Sequence, residues 1–266
     1  MLRRVAVSIV FVGFFSLFAQ LLPTQSQAQD RRQNAPGAFD FYVLALSWSP
    51  SYCATSRERR SDGRADPVQC GARPYSFVVH GLWPQYEKGF PSYCQVPAPR
   101  LNRGIVSTML DLMPSPRLVF HEWDRHGTCS GLAPRAYFET VRKARAVVKI
   151  PDRFLELPDT LTVTPDEVRD AFIKANGGLG EGGVAVNCSS RYLSEVRICM
   201  TREFGFRDCP EIVKRACRRD KVVMPPVRGG ASKAEAGPDN AAAVTAGDKA
   251  PQAGPQISPQ VSVSAN

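Results

Sequence analysis

Eight cysteines, Cys53, Cys70, Cys94, Cys129, Cys188, Cys199, Cys209 and Cys217, limit this 266-residue chain more than any other feature. No C-x-x-C pair occurs among them, which argues against a zinc ribbon or a thioredoxin-like redox site. An even count in an exported chain implies disulfides, and eight cysteines allow about 105 complete pairings, so their number alone leaves the connectivity open. The N-terminus carries the matching export pattern. Arg3 and Arg4 precede a charge-free, mostly apolar run from Val5 to Leu22, and Ser26-Gln27-Ala28 offers a small-x-small cleavage site. A retained membrane anchor is the competing reading of this run. Pro23 and the polar stretch after it favour cleavage after Ala28. Residues 1–28 are therefore expected to be a signal peptide, and the mature chain periplasmic or secreted, with no stable membrane association.

From Pro225 onward the sequence has no aromatic residue and is rich in Ala, Pro, Gly, Ser and Gln. Such a segment buries too little apolar surface to offset its ordering entropy, so residues 225–266 are expected to be a disordered tail that can be deleted beyond Met224 without loss of activity. Residues 29–224 then form one domain of about 200 residues, enough for a single core. The formal charge is +9, and losing Arg3 and Arg4 with the leader leaves +7. The tail contributes nothing, because Arg228, Lys233 and Lys249 balance Glu235, Asp239 and Asp248. The excess of positive charge thus sits on the domain and points to an anionic partner such as nucleic acid or phospholipid.

Periodicity outlines the elements. Phe39 to Trp48 reads as a buried strand, and the "YSFVVHGLWP" stretch as a second one, stopped by Gly81 and Pro84. Three helical patterns follow: "GIVSTMLDLM" with Ile105, Met109 and Leu112 on one face, "PRAYFETVRKARAVVKI" with Phe138, Val141, Ala144 and Val148, and "TPDEVRDAFIKANGG". The last has Thr164 as N-cap, Pro165 at the first position, Glu167 completing a capping box and Gly177 as a left-handed stop. The period then changes to two. In "YLSEVRICMT", Val196, Ile198 and Met200 share one face, and Glu195, Arg197 and Cys199 the other. Strands at both ends with helices between predict an α+β fold: a mainly antiparallel sheet packed by several helices and bonded by disulfides.

The segment "HEWDRHGTC" holds two of the three histidines in the chain. A metal site is one reading. However, residues five apart on a helix are separated by about 500° of rotation, so the rings of His121 and His126 diverge by roughly 140° and cannot share one ion. Acid–base chemistry suits the spacing better. Glu122 and His126 are four apart, as are His121 and Arg125, so Glu122 can raise the basicity of His126 or orient it. Arg125 and a protonated His121 would attract an anion. Asp124 belongs to neither pair and is expected to face solvent. The bland alternative is a charged helix surface with incidental pairs.

His80 shifts the balance. It is the remaining histidine, and it emerges from an apolar strand beside Gly81 and Trp83. With ordinary pKa values near 6.5, one imidazole can accept a proton while another donates one. Two such groups on opposite sides of a phosphate suffice to cleave RNA without a metal, because the 2′-OH supplies the nucleophile.

The segments "FVVHGLWP" and "HEWDRHGTC", about forty residues apart after "LSWSPSYC", together with "YLSEVRIC", resemble the ribonuclease T2 family over roughly Phe39 to Cys217. The resemblance implies an endoribonuclease that cuts single-stranded RNA through a 2′,3′-cyclic phosphate, with no cofactor or metal. It implies His80 as general acid, His126 as general base, Glu122 as an aid at the phosphate and His121 as a phosphate ligand. Trp83 would stack on a base, and Arg125 stands where most members have lysine, which alters transition-state stabilisation. Gln85 occupies a position where several members carry an acid that helps select the base. The resemblance also suggests Cys94–Cys129, Cys188–Cys217 and Cys199–Cys209, leaving Cys53 with Cys70. The expected partner is an RNA substrate and the expected state a monomer. Two other classes compete: a metal-dependent phosphodiesterase, and a basic RNA-binding or toxin-like protein that needs no turnover.

Overall fold

The computed structural model describes residues 33–59, 67–71 and 73–227. The predicted signal peptide 1–28 lies outside the described residues, as do residues 228–266 of the predicted tail. In chain order the elements are β1 (Phe41–Trp48), α1 (Ser49–Arg59), α2 (Pro67–Cys70), β2 (Phe77–Gln85), α3 (Arg103–Ser107), α4 (Pro116–Arg125), α5 (Pro134–Val147), β3 (Leu161–Val163), α6 (Pro165–Ala175), β4 (Val184–Ser189), β5 (Tyr192–Met200), α7 (Pro210–Val213) and β6 (Val222–Met224). The strands form one sheet in the order β2-β1-β5-β6-β3, with β4 also paired to β5. All pairings are antiparallel except the single β5–β6 rung at Tyr192–Val223. The fold is α+β.

The two faces of the sheet do different work. Leu44, Leu46 and Trp48 of β1, with Val196, Ile198 and Met200 of β5, point into the main core, where residues of α4, α5 and α6 cover them. Phe77 meets Trp48, Phe154 and Phe172 there edge-on. The alternate residues Val43, Ala45 and Ser47 lie opposite Cys199, Arg197 and Glu195 on the other face, as strand alternation requires.

The second strand runs through both of its expected stops. Gly81 is paired with Ala45 and Val79 with Leu46, so His80 is an extra residue in a β-bulge. A bulge turns two consecutive residues to one side of a sheet, which brings His80 out beside Gly81. Pro84 is tolerated because β2 is an edge strand and its missing N–H interrupts no ladder. Two helical expectations also change. The "GIVSTMLDLM" pattern yields only α3 and then turns, in which the Leu112 carbonyl accepts from Val79 N–H at 2.9 Å. Helix α6 has its Thr164–Glu167 capping box, but the left-handed residue after it is Gly178 (φ 84°) rather than Gly177.

Disulfides join Cys53–Cys70, Cys94–Cys129, Cys188–Cys217 and Cys199–Cys209. Cys94–Cys129 ties the loop after β2 to the turn that follows α4, next to the Tyr93 N–H bond to the Arg125 carbonyl (2.9 Å). No helix among the described residues is long and apolar enough to cross a membrane.

The domain extends past its expected end at Met224. The Trp48 indole N–H donates to the Pro225 carbonyl (3.1 Å), and Val227, 3% exposed, donates to the Leu157 carbonyl (2.8 Å). These contacts correct the predicted tail, whose first three residues are packed. A chain ending at Val227 is expected to keep the thermal midpoint of the full chain. One ending at Met224 gives up the burial of a valine, about 1.5–3 kcal/mol, and an indole hydrogen bond. Thermal melts of the two truncations check this, and equal midpoints would refute it.

Candidate active site

A cavity of about 270 Å³ opens on the sheet face opposite the main core. His80, Trp83, His121, Glu122, Arg125 and His126 all line it, so the six residues singled out from sequence meet in one place. Two elements deliver them. The β2 bulge presents His80 and, three residues on, Trp83. Helix α4 starts at Ser115, whose hydroxyl accepts from Leu118 N–H, with Pro116 in its first turn. Its inward stripe is Val119, Glu122 and Trp123, while His121 and Asp124 are exposed. Trp123 anchors the helix by donating to the Pro99 carbonyl (2.7 Å), and Tyr137 ties α5 to β2 through the Leu82 carbonyl (2.9 Å).

Glu122 does not serve His126 as the helical spacing predicts. It is 1% exposed, accepts from the Trp83 indole at 2.7 Å, and lies 3.6 Å from His80 Nε2. The helix ends at Arg125 and His126 is its C-cap (φ −117°), so the backbone bond to Glu122 survives while the side chains diverge. His126 instead packs near Trp83, with ring centroids 5.3 Å apart, and its Nδ1 has no hydrogen-bond partner among the described residues. The Trp83 ring is also 5.4 Å from His80, so the indole bridges the two imidazoles.

Two contributors escaped the sequence reading of the site, Glu195 and Arg197 of β5. His80 Nδ1 is hydrogen-bonded to Glu195 Oε1. The other oxygen of that carboxylate accepts from Arg197 Nε (3.0 Å) and NH2 (2.9 Å). The Arg197 guanidinium lies 5.1 Å from the Trp83 ring centroid. The signal was the period-two alternation that puts Glu195 and Arg197 on one face, but nothing local says that the face meets His80. Phe90, 44% exposed on the loop after β2 and 6.4 Å from the His126 ring, is a further aromatic wall.

The electrostatics separate the two imidazoles. Burial alone would lower the His80 pKa, but the hydrogen bond and charge of Glu195, with the charge of Glu122, raise it above its ordinary 6.5. His126 is pushed the other way, to about 3, by burial first and then by Arg125, His80 and His121. Burial lifts Glu122 to about 7 against the opposing pull of His80 and the indole N–H. Burial also works against the Glu195 carboxylate, yet His80 and Arg197 bring it down to about 2. The surroundings therefore favour the protonated form of His80 and the neutral form of His126, a pairing in which one imidazole is the better proton donor and the other the better acceptor. Arg125, half-buried, and His121 stand on the same cavity wall, where an anion would meet them. Among the described residues, no three His, Cys, Asp or Glu side chains are grouped to hold a metal ion.

The family model described as "Ribonuclease T2 family" matches residues 39–209. A ribonuclease of Aeromonas hydrophila is 36% identical over 194 residues, covering 69% of this chain and 81% of that one. Ribonuclease DdI of Dictyostelium discoideum is 26% identical over 212 residues, covering 73% and 88%. Among solved structures, an RNase-related protein from Calystegia sepium superposes with a TM-score of 0.55 at 21% identity, covering 71% of this chain and 98% of that one.

Proposed function

The chain belongs to the ribonuclease T2 family and is an RNA-cleaving enzyme, and we propose that it cuts single-stranded RNA by transphosphorylation between His80 and His126. His126 takes the proton of the 2′-OH. The 2′-oxygen attacks the adjacent phosphorus, the bond from phosphorus to the 5′-oxygen breaks, and His80 gives its proton to that leaving oxygen. The products are a 2′,3′-cyclic phosphate and a new 5′-hydroxyl, and no proton is gained or lost overall. The nucleophile already lies within the substrate, so the protein has only to align the phosphate and move protons.

The observation that carries this reading is the contrast between the two imidazoles: His80 is held against two carboxylates and His126 faces cations. The same contrast assigns direction, with His80 as acid and His126 as base. An arriving phosphate partly cancels the cations around His126 and makes it a stronger base when substrate is in place. Arg125 and His121 hold the phosphate oxygens. Glu122, which burial pushes up to about 7, borders the same cavity and can donate to a phosphate oxygen in its acid form. Trp83 and Phe90 offer ring faces to bases. Four disulfides suit an oxidising compartment, so we place the enzyme in the periplasm or outside the cell.

The test compares one RNA oligonucleotide with its 2′-deoxy counterpart, both in excess chelator. The expected result is cleavage of the RNA alone, ending in a 2′,3′-cyclic phosphate. Intact RNA would overturn the reading in favour of a metal-dependent enzyme. Cleavage of both would mean that the nucleophile comes from elsewhere than the 2′-OH.

A further inference from the structure

We infer that Glu195, braced by Arg197, is the positioning residue of the proposed general acid, holding the His80 ring by Nδ1–H so that Nε2 handles the transferred proton. The inference rests on His80 being that acid. The two residues come from β2 and β5, which are separated by β1. Contact across an intervening strand needs a low ridge, and β1 provides one: Ala45 is paired with Gly81 on one side and Arg197 on the other, and Ser47 sits opposite Glu195. Only small side chains lie beneath the bridge. The β2 bulge then tips His80 into reach.

Both oxygens of the Glu195 carboxylate are engaged. Glu195 Oε1 meets His80 Nδ1 and lies 3.5 Å from Ser47 Oγ, while Oε2 takes both prongs of the Arg197 guanidinium. With Oε1 tied to His80 and Oε2 to the guanidinium, the carboxylate is held at both oxygens, and Trp83 lies against the guanidinium in turn. An ionised carboxylate only accepts hydrogen bonds, so Nδ1 must carry hydrogen in every state of His80. The mobile proton is thereby confined to Nε2, the nitrogen on the Glu122 side of the ring, 3.6 Å from Glu122 Oε1. After donation His80 is left as the Nδ1–H tautomer with a lone pair on Nε2. It can then take a proton from water as the water oxygen attacks the cyclic phosphate, the bond from phosphorus to the 2′-oxygen breaks, and His126 returns its proton to that oxygen. One fixed tautomer serves both half-reactions.

The titratable and charged groups around His80 are Glu195 and Arg197 from β5, Glu122 from α4, and His126, neutral above about 3, at the end of α4. Glu195→Gln keeps the shape and removes the charge. It is expected to fold, to lose about a hundredfold in kcat, at the low end of what general acid catalysis supplies, with KM little changed. The His80 ring proton resonance should titrate at lower pH than in the parent enzyme, and the basic limb of the kcat profile should move with it. With only three histidines, His121→Ala and His126→Ala identify the resonance. Arg197→Gln should move both in the same direction by less. A Glu195→Gln enzyme with unchanged kcat, limb and titration overturns the inference, provided His80→Ala is inactive. An active His80→Ala instead removes the acid assignment itself. Should Glu195→Gln fail to fold, Glu195→Asp decides: it retains the charge one methylene further back, and an unmoved limb and titration would count equally against the inference.

Discussion

An enzyme carrying His126→Ala is expected to fold normally and to lose roughly 10²- to 10⁴-fold in kcat, the contribution of one positioned acid or base. The pH behaviour makes the expectation sharper. In the free enzyme His126 is neutral down to about 3, and His80 keeps its proton to above 6.5. The kcat/KM profile of the parent should therefore rise on an acid limb near 3 and fall on a basic limb above 6.5. The variant should lose the acid limb and keep the basic one. Stability should carry the same acid dependence. A histidine whose folded pKa is depressed contributes stability that is complete above 6.5, and it is lost as pH falls through about 3. The variant has no such group and also lacks the unpartnered Nδ1, so its thermal midpoint should fall less than the parent's between pH 6.5 and 3. Stopped assays at several pH values and parallel melts check both halves. A His126→Ala enzyme that cleaves at the parental rate would remove His126 from the reaction.

Much of this site is legible in the sequence because its residues arrive on two short segments. His80 and Trp83 lie on β2, and His121 to Arg125 lie on α4 with His126 as its cap, so spacing alone brings both imidazoles and their near neighbours into view. The misreadings share a cause. A helical wheel makes Glu122 and His126 neighbours, but it does not show that the helix ends at Arg125 or that β2 offers Glu122 a stronger partner in the Trp83 indole. Gly81 reads as a strand stop because glycine weakens a strand in isolation. Here it sits in a bulge, where the strand continues because β1 still supplies the ladder. Glu195 shows the limit most clearly. Its partner His80 is 115 residues earlier, and their contact depends on β1 lying between them with Ala45 and Ser47 at the crossing. Strand alternation supplies the face, whereas strand order supplies the neighbour, and only the first is local. The packing of residues 225–227 has the same origin, since Pro225 and Val227 are held by Trp48 and Leu157, far behind them in the chain.

Gly81 also sets up the second large effect. A Cβ at this position would stand 2.8 Å from Glu122 Cδ and fall still closer to the carboxylate oxygen and the Trp83 indole nitrogen. Glu122 is only 1% exposed, and the indole is held between two imidazoles and a guanidinium. Neither can yield without breaking the bond between them. Gly81→Ala is therefore expected to destabilise the fold by about 1–3 kcal/mol, the usual cost of overpacking. In a domain of this size each kcal/mol is worth about 2–4 °C in Tm. Activity should fall further than stability, by about a hundredfold at a temperature where the variant is folded, because the displaced groups line the cavity. Gly177→Ala is the control: its Cβ meets nothing within 4 Å, and its φ lies outside the left-handed range. That variant should match the parent in both measurements. If Gly81→Ala did so too, the close approach of α4 to the bulge, on which the position of Glu122 depends, would be wrong.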